Sequence, residues 1–190
     1  YFRIAFQLDM ISLMRLASFI KRHSEEVYRL YSLVGEIDAC IAVASVRASL
    51  ERYAVPAFVS EKRVEAEKMV HPLLKAPVAN DLDWRQNVLI TGSNASGKST
   101  FVKAIALNAI LAQSVCTCWA EAFSMPRAQV MSSMALRDDV QGGDSYFIVE
   151  IKSLKRILSA LRGDRITLCF IDEILRGTNT VERIASSSAL

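Results

Sequence analysis

Phe6, Met10, Leu13, Ala17 and Ile20 recur at steps of three and four residues, the stripe of an amphipathic helix. Val27, Leu30, Leu33 and Val34 continue it, and Ile37, Ile41, Ala44 and Leu50 carry it past Gly35. Residues 1 to about 52 hold no proline and a single glycine, so they read as one long helix or a helix pair packed through that stripe. From Val55 the period changes. Val55–Ser60 and Val64–Val70 alternate apolar and polar positions like short, half-exposed strands. His71-Pro72 and Ala76-Pro77 punctuate a loop, which leads to a compact apolar strand at Val88, Leu89 and Ile90. Phe101–Ala112 returns to helical period, and Ala128–Met134 reads as a strand. Ser145 opens another helix, with Phe147, Ile151, Leu154, Leu158 and Leu161 as its apolar stripe. Ile166–Ile171 is an apolar run with β-branched and aromatic residues, suited to a strand buried on both faces of a mainly parallel sheet. The order predicts an α/β domain over residues 53–190, preceded by a helical segment over 1–52.

Chemistry enters at the first apolar strand. Gly92 through Ser99 fit G-x-x-x-x-G-K-[ST], the phosphate-binding P-loop, between a strand and a helix. Such a loop points successive N–H groups and a helix N-terminus at one spot, which suits a polyphosphate. The backbone of Gly92, Ser93, Asn94, Ala95, Ser96, Gly97, Lys98, Ser99 and Thr100 is expected to cradle ATP or ADP. Lys98 reaches the β- and γ-phosphates in this reading, and the Ser99 hydroxyl ligates Mg²⁺. The second apolar strand ends in Asp172-Glu173, the Walker B pattern. Asp172 would hold Mg²⁺ directly or through water, and Glu173 is placed to orient or deprotonate the attacking water. Five of the seven glycines (Gly92, Gly97, Gly142, Gly143, Gly177) fall in the P-loop, the loop before Ser145 and the turn after Walker B.

Composition adds little to this. The chain has 190 residues, 52% of them hydrophobic, enough for one ATPase core plus an appendage. A net charge of +3 lacks the basic footprint of a nucleic-acid-binding domain. Cys40, Cys116, Cys118 and Cys169 show no C-x-x-C spacing and read as buried reduced thiols, which fits a cytosolic protein. His71 precedes a proline and reads as structural; His23, among charges on a helix, reads as solvated. Arg3, Asp9, Arg15, Lys21 and Arg22 interrupt the apolar N-terminus, well short of the ~20 apolar residues a spanning helix needs. There is no signal-peptide pattern. The sequence starts at Tyr1 and stops mid-pattern, so it reads as a piece of a longer chain, with any targeting segment elsewhere left open.

The order P-loop, then Gly143-Asp-Ser-Tyr-Phe-Ile-Val-Glu150, then Ile171-Asp-Glu-Ile-Leu-Arg-Gly-Thr-Asn-Thr180 resembles the ATPase domain of the MutS mismatch-repair family. Asp-Glu-x-x-Arg-Gly-Thr-x-Thr after Walker B is not a general P-loop feature. The resemblance covers about residues 77–190, and Val34–Ala44 resembles the end of the family's core helices. It implies an ABC-type P-loop ATPase, dimeric, with two composite sites, that uses Mg²⁺–ATP to gate DNA binding. The implied partners are a second copy, DNA through regions mostly outside this stretch, and other repair proteins. Ser145, which on spacing alone is an N-cap of its own helix, aligns with the serine that one subunit presents to the other's nucleotide. Thr178 and Asn179 fall in the family's interface-crossing loop.

Departures qualify the match. The P-loop reads Ser-Asn-Ala-Ser where typical members have Pro-Asn-Met-Gly, so Asn94 is kept and its neighbours are not. Pro77 and Val78 replace an aromatic that packs on adenine in the family, which leaves Val78 as the base-packing candidate. The family's switch histidine falls beyond Leu190, and no mismatch-reading domain is present, so a MutS-related paralogue stays open beside a repair protein proper. An ABC-type ATPase with a non-repair role is a further reading, since Gln141-Gly-Gly-Asp-Ser145 partly echoes the Leu-Ser-Gly-Gly-Gln signature. A nucleotide-binding interaction module that hydrolyses little is another.

Overall fold

The computed structural model describes residues 8–93, 95–134, 146–175, 181, 184 and 185. The chain divides into two compact units, Tyr1–Leu50 and Glu51–Leu190.

In the first unit the helical period yields α1 (Leu8–Arg22) and α2 (Ser24–Ser49), a helix pair. His23, at φ −111° and ψ 30°, interrupts the helix between them. The hydrogen bonds His23 N–H to Phe19 O (3.0 Å) and Val27 N–H to His23 O (2.9 Å) still bridge the break. The His23 ring is half-buried against Phe19, with centroids 4.5 Å apart, rather than freely solvated. α2 buries none of its residues: Leu30, Val34, Ile37 and Ile41 stay exposed on the stripe. The sequence pattern made the helix without supplying a cover for its apolar face.

The second unit contains a four-stranded sheet in the order β1-β4-β2-β3, from β1 (Ala57–Phe58), β2 (Val64–Met69), β3 (Asn80–Trp84) and β4 (Ala122–Met125). β2 runs antiparallel to both neighbours, with Ala66 opposite Leu82 and Phe123, while β1 pairs parallel with β4. A bulge lies between Ala66 and Met69, where Lys68 takes φ 46° and its N–H is satisfied by Asp81 Oδ1 at 2.8 Å. A second sheet pairs β5 (Gln129–Ser133) in parallel with β6 (Thr167–Ile171), joined through α4 (Tyr146–Leu161) as a βαβ unit. The mainly parallel sheet read from the sequence is thus represented, among the described residues, by this pair. The larger sheet is mostly antiparallel because β2 returns to β3 through a loop, and a parallel return needs a long crossover.

Helix α3 (Lys98–Val115) supplies one wall of the core. Ala104, Ala106, Ala109 and Ala112 are buried on it beside Ile105, and these small side chains let the helix lie close to Val64, Met69, Phe123, Met125, Leu168 and Phe170. Asn108 is wholly buried and fully used. Its Nδ2 donates to Val70 O (3.0 Å) and Ala104 O (2.9 Å), and its Oδ1 accepts from Trp119 N–H (2.7 Å). Gln113 adds a second bolt: its Oε1 accepts from Ala128 N–H at 2.9 Å. The helix ends at Cys116 in the left-handed conformation, φ 49°, a common way to stop a helix.

Several elements differ from expectation. The strand expected over Val55–Ser60 shrinks to β1 plus an isolated bridge from Ala54 to Cys118. β3 falls in a stretch that reads as loop, though Leu82 and Trp84 alternate there with Asp81 and Asp83; aspartate's poor strand propensity masks the alternation. Val88–Ile90 joins neither sheet, and Leu89 is 88% exposed. An apolar triplet becomes a strand only where a neighbour completes its ladder. Of the cysteines, Cys118 is buried and Cys169 half-buried, whereas Cys40 and Cys116 are exposed, contrary to the buried reading. His71 is structural as expected, its Nδ1 accepting the Leu73 N–H at 3.2 Å.

Candidate functional site

The loop before α3 has the conformations its glycines permit. Gly97, the N-cap, sits at φ 89° and ψ 8°, a left-handed geometry that strains any other residue. Gly92 is needed for close approach: a Cβ there would meet Ser96 Oγ at 3.2 Å and Lys98 Cδ at 3.6 Å. Ala95, without glycine's freedom, also stands at φ 64°. Lys98 curls back over this loop, and its ammonium donates to Gly92 O (2.7 Å) and Ser93 O (2.6 Å). Among the described residues no side chain caps α3, and its first turn has no acid, whereas α2 carries Glu25 and Glu26 there. The positive end of the α3 dipole is therefore left without a carboxylate of its own, as an anion site requires.

The other half of the site is the turn after β6. Asp172 N–H extends the parallel ladder by donating to Ser133 O at 3.1 Å, which fixes the residue at the strand's C-terminal end. Glu173 and Leu175 then take φ values of 57° and 51°, unusual for residues with side chains and a local store of strain. Glu150 of α4 clasps this turn: its Oε1 accepts the Leu175 N–H at 2.5 Å.

A cavity of about 710 Å³ joins the two halves, with Lys98, Asp172 and Glu173 on its wall. Trp84, Phe101, Val102, Ile105 and Phe170 give it an apolar lining, and Trp84 meets Phe170 edge-on with centroids 5.5 Å apart. Cys169 also lines it, its thiol pKa raised by burial. An ammonium, two carboxylates and an apolar wall in one concavity can hold an anion and position a hydrated cation. Ser99 and Asp172 offer a hydroxyl and a carboxylate, hard oxygen donors that suit Mg²⁺. Among the described residues no group of three or more His, Cys, Asp or Glu could hold a metal by itself, so the ion would draw further ligands from water and phosphate.

The other residues that the sequence singles out are distributed unevenly. Gly92, Ser93, Ala95, Ser96, Gly97 and Thr100 are exposed, and Lys98 and Ser99 half-buried, all in the loop and first turn of α3. Val78 is 79% exposed and takes no part in the cavity wall. Asn94, Ser145, Thr178 and Asn179 lie outside the described residues. Sequence reasoning misses Trp84 and Phe101, and it gives Glu150 no role. Glu150 has a signal all the same: it stands three residues after Phe147 and four before Leu154, among the apolar positions of its helix. The expected α4 stripe is itself rotated. Phe147, Ile151, Leu158 and Leu161 are exposed, while the buried face carries Glu150, Ser153, Leu154 and Ile157.

Comparison with known families places the chain. The model for MutS domain V matches residues 88–190, from the segment before the loop through the end of the chain. The chain belongs to the MutS family. Among curated MutS relatives, the DNA mismatch repair protein MutS of Exiguobacterium sp. is 33% identical over 181 residues, covering 90% of this chain and 21% of that protein. That of Geobacillus thermodenitrificans is 32% identical over 181 residues, covering 90% of this chain and 20% of its own. That of Thermus thermophilus is 32% identical over 198 residues, covering 94% and 24%. The chain thus spans between a fifth and a quarter of the length of these MutS proteins. No helix among the described residues is long and apolar enough to cross a membrane.

Proposed function

We propose that this chain is the ATP-binding and hydrolysing part of a MutS-like DNA mismatch repair protein, in which Mg²⁺–ATP gates DNA binding. The observation that carries the reading is the meeting of Lys98 with Asp172 and Glu173 on one cavity wall. The fold we propose is that of an ABC-type P-loop NTPase, supported by the loop–helix unit of α3 and the β5–α4–β6 crossover.

The bound nucleotide with Mg²⁺ supplies the electrophilic phosphorus and neutralises part of its charge. The chain does the rest. Backbone N–H groups from Gly92 to Thr100 hold the phosphates, and Lys98 exchanges its two carbonyl partners for phosphate oxygens. Ser99 and Asp172 hold the ion between them, directly or through water. Glu173 orients the attacking water and accepts its proton. The apolar wall of Trp84, Phe101 and Phe170 keeps other water away, so each charge interaction there is stronger than in solvent. Ser145 serves the nucleotide of a second copy, and DNA is contacted mostly by parts of the protein beyond this stretch.

The test is Lys98→Ala in the complete gene product. Nucleotide affinity by calorimetry should fall by about tenfold or more, the loss of a charge-assisted contact worth roughly 1.5–3 kcal/mol. Affinity equal to that of the parent protein would remove the basis of the reading.

A further inference from the structure

Glu150 is 2% exposed, in a helix whose more apolar face points outward. One carboxylate oxygen, Oε1, takes the Leu175 N–H at 2.5 Å. The other, Oε2, is buried with no hydrogen-bond partner among the described residues, and so is the Ser153 hydroxyl one turn along α4. Burying a carboxylate with half its acceptor capacity unused is costly, and an apolar residue would pack the same face without that cost. The clasp reaches a particular place. It ends on Leu175, two residues after Glu173, in a turn where both residues hold positive φ. A strained turn persists only where its surroundings over-determine it, and the Glu150 bond is one contact that holds it, made from α4.

We propose that Glu150 is a positioning residue for hydrolysis: it pins the Asp172–Leu175 turn to α4 and thereby sets where the Glu173 carboxylate points. The inference rests on the ATPase reading above. Asp172 needs no such help, because its N–H already continues the β5–β6 ladder. Glu173 lies past the end of that ladder, exposed and at positive φ, two residues before the N–H that Glu150 holds. The pinned turn is also tied to the start of α4. Glu150 is one helical turn, about 6 Å along the axis, from Tyr146, the helix's first residue and the neighbour of Ser145.

The experiment compares Glu150→Ala, Glu150→Gln and Glu150→Met in the complete gene product. Glu150→Met keeps most of the buried volume and removes both oxygens, so it carries the test if the alanine variant fails to fold. ATP affinity should stay within about twofold of the parent, while single-turnover hydrolysis falls by about 100-fold, the scale of a misplacement near 1 Å. Glu150→Gln, which retains an acceptor for Leu175, should recover most of that rate. In a Glu173→Gln background, Glu150→Met should cause no further loss, because it acts through the same carboxylate. Amide exchange at Leu175 should quicken at least tenfold in Glu150→Met, with β5 and β6 unchanged. Losses that multiply in the double variant, or an unaltered Leu175 exchange rate, would overturn the proposal. If Leu175 exchange quickens but Glu173→Gln hydrolyses normally, the pin stands as a contact, the positioning role is overturned, and the hydrolytic assignment of Glu173 falls with it.

Discussion

Along its C-terminal half α3 is closed by its own chain. Asn108 satisfies Val70, Ala104 and Trp119 at once, Cys118 is wholly buried, and Ala109 and Ala112 leave no gap against the sheet. At its N-terminal end, about 15 Å from Asn108, the first turn has no side-chain cap among the described residues and the residues before it are exposed, with Gly97 and Ala95 at positive φ. One helix thus has a half in which a buried amide is matched by protein and an end from which an ammonium reaches a cavity wall. The difference separates two kinds of sequence information. Residues at the closed end encode stability, and those at the open end encode what the protein meets.

That division can be broken by substitutions that cross it. Glu173→Gln keeps shape and removes the carboxylate proposed as the base, so turnover by the complete gene product should fall by about 10²–10⁴. Its melting temperature should stay within a few degrees and its ATP affinity near that of the parent. A large drop in melting temperature would mean that the strained turn also supports the core. Asn108→Leu is the converse. It leaves the part-buried Trp119 N–H and Val70 carbonyl without the Asn108 amide, and chemical denaturation should show a loss of about 2–4 kcal/mol. Nucleotide affinity of the folded fraction should not change; if it did, the two ends of α3 would be coupled.

The smallest effect is one of pH. Burial, with a lesser contribution from nearby Cys116, pushes the Cys118 thiol from 9.0 up to about 12. Its folded-state pKa is raised, so the stability it contributes is fully present below pH 9 and is lost as pH rises toward 12. Denaturation midpoints measured from about pH 8 to 11 should decline, and Cys118→Ala should flatten that decline. An equal slope in the variant would show that the thiol is more hydrated than its burial implies. At neutral pH a thiol reagent should label exposed Cys116 and leave Cys118 untouched.

The open end was legible in the sequence and the closed end largely was not. Loop geometry is written in consecutive residues: the spacing of Gly92, Gly97, Lys98 and Ser99 marks the positive-φ turn into α3, and Asp172-Glu173 after an apolar run marks the acids that share a cavity wall with Lys98. Asn108 looks like any polar residue in a helix, because its partners Val70 and Trp119 lie on segments brought near only by folding. The same limit explains Glu150 and the rotated face of α4. Helical period names a stripe, but which stripe is buried depends on the strands and turn the helix meets. Period-two alternation in Leu82 and Trp84 was present yet diluted by aspartates, and Val88–Ile90 had the composition of a strand without the ladder. The MutS resemblance was legible through Asp172–Thr180, part of which lies outside the described residues.

Lys98 gives the loop before α3 a threshold. With its ammonium already shared by the Gly92 and Ser93 carbonyls at 2.7 and 2.6 Å, a newcomer competes with two good acceptors rather than with water alone. A singly charged anion offers little more than the carbonyls do, whereas a triphosphate offers several oxygens and more charge. Under the proposed function, discrimination between them would start in this swap of partners, before the shape of base or sugar is sensed.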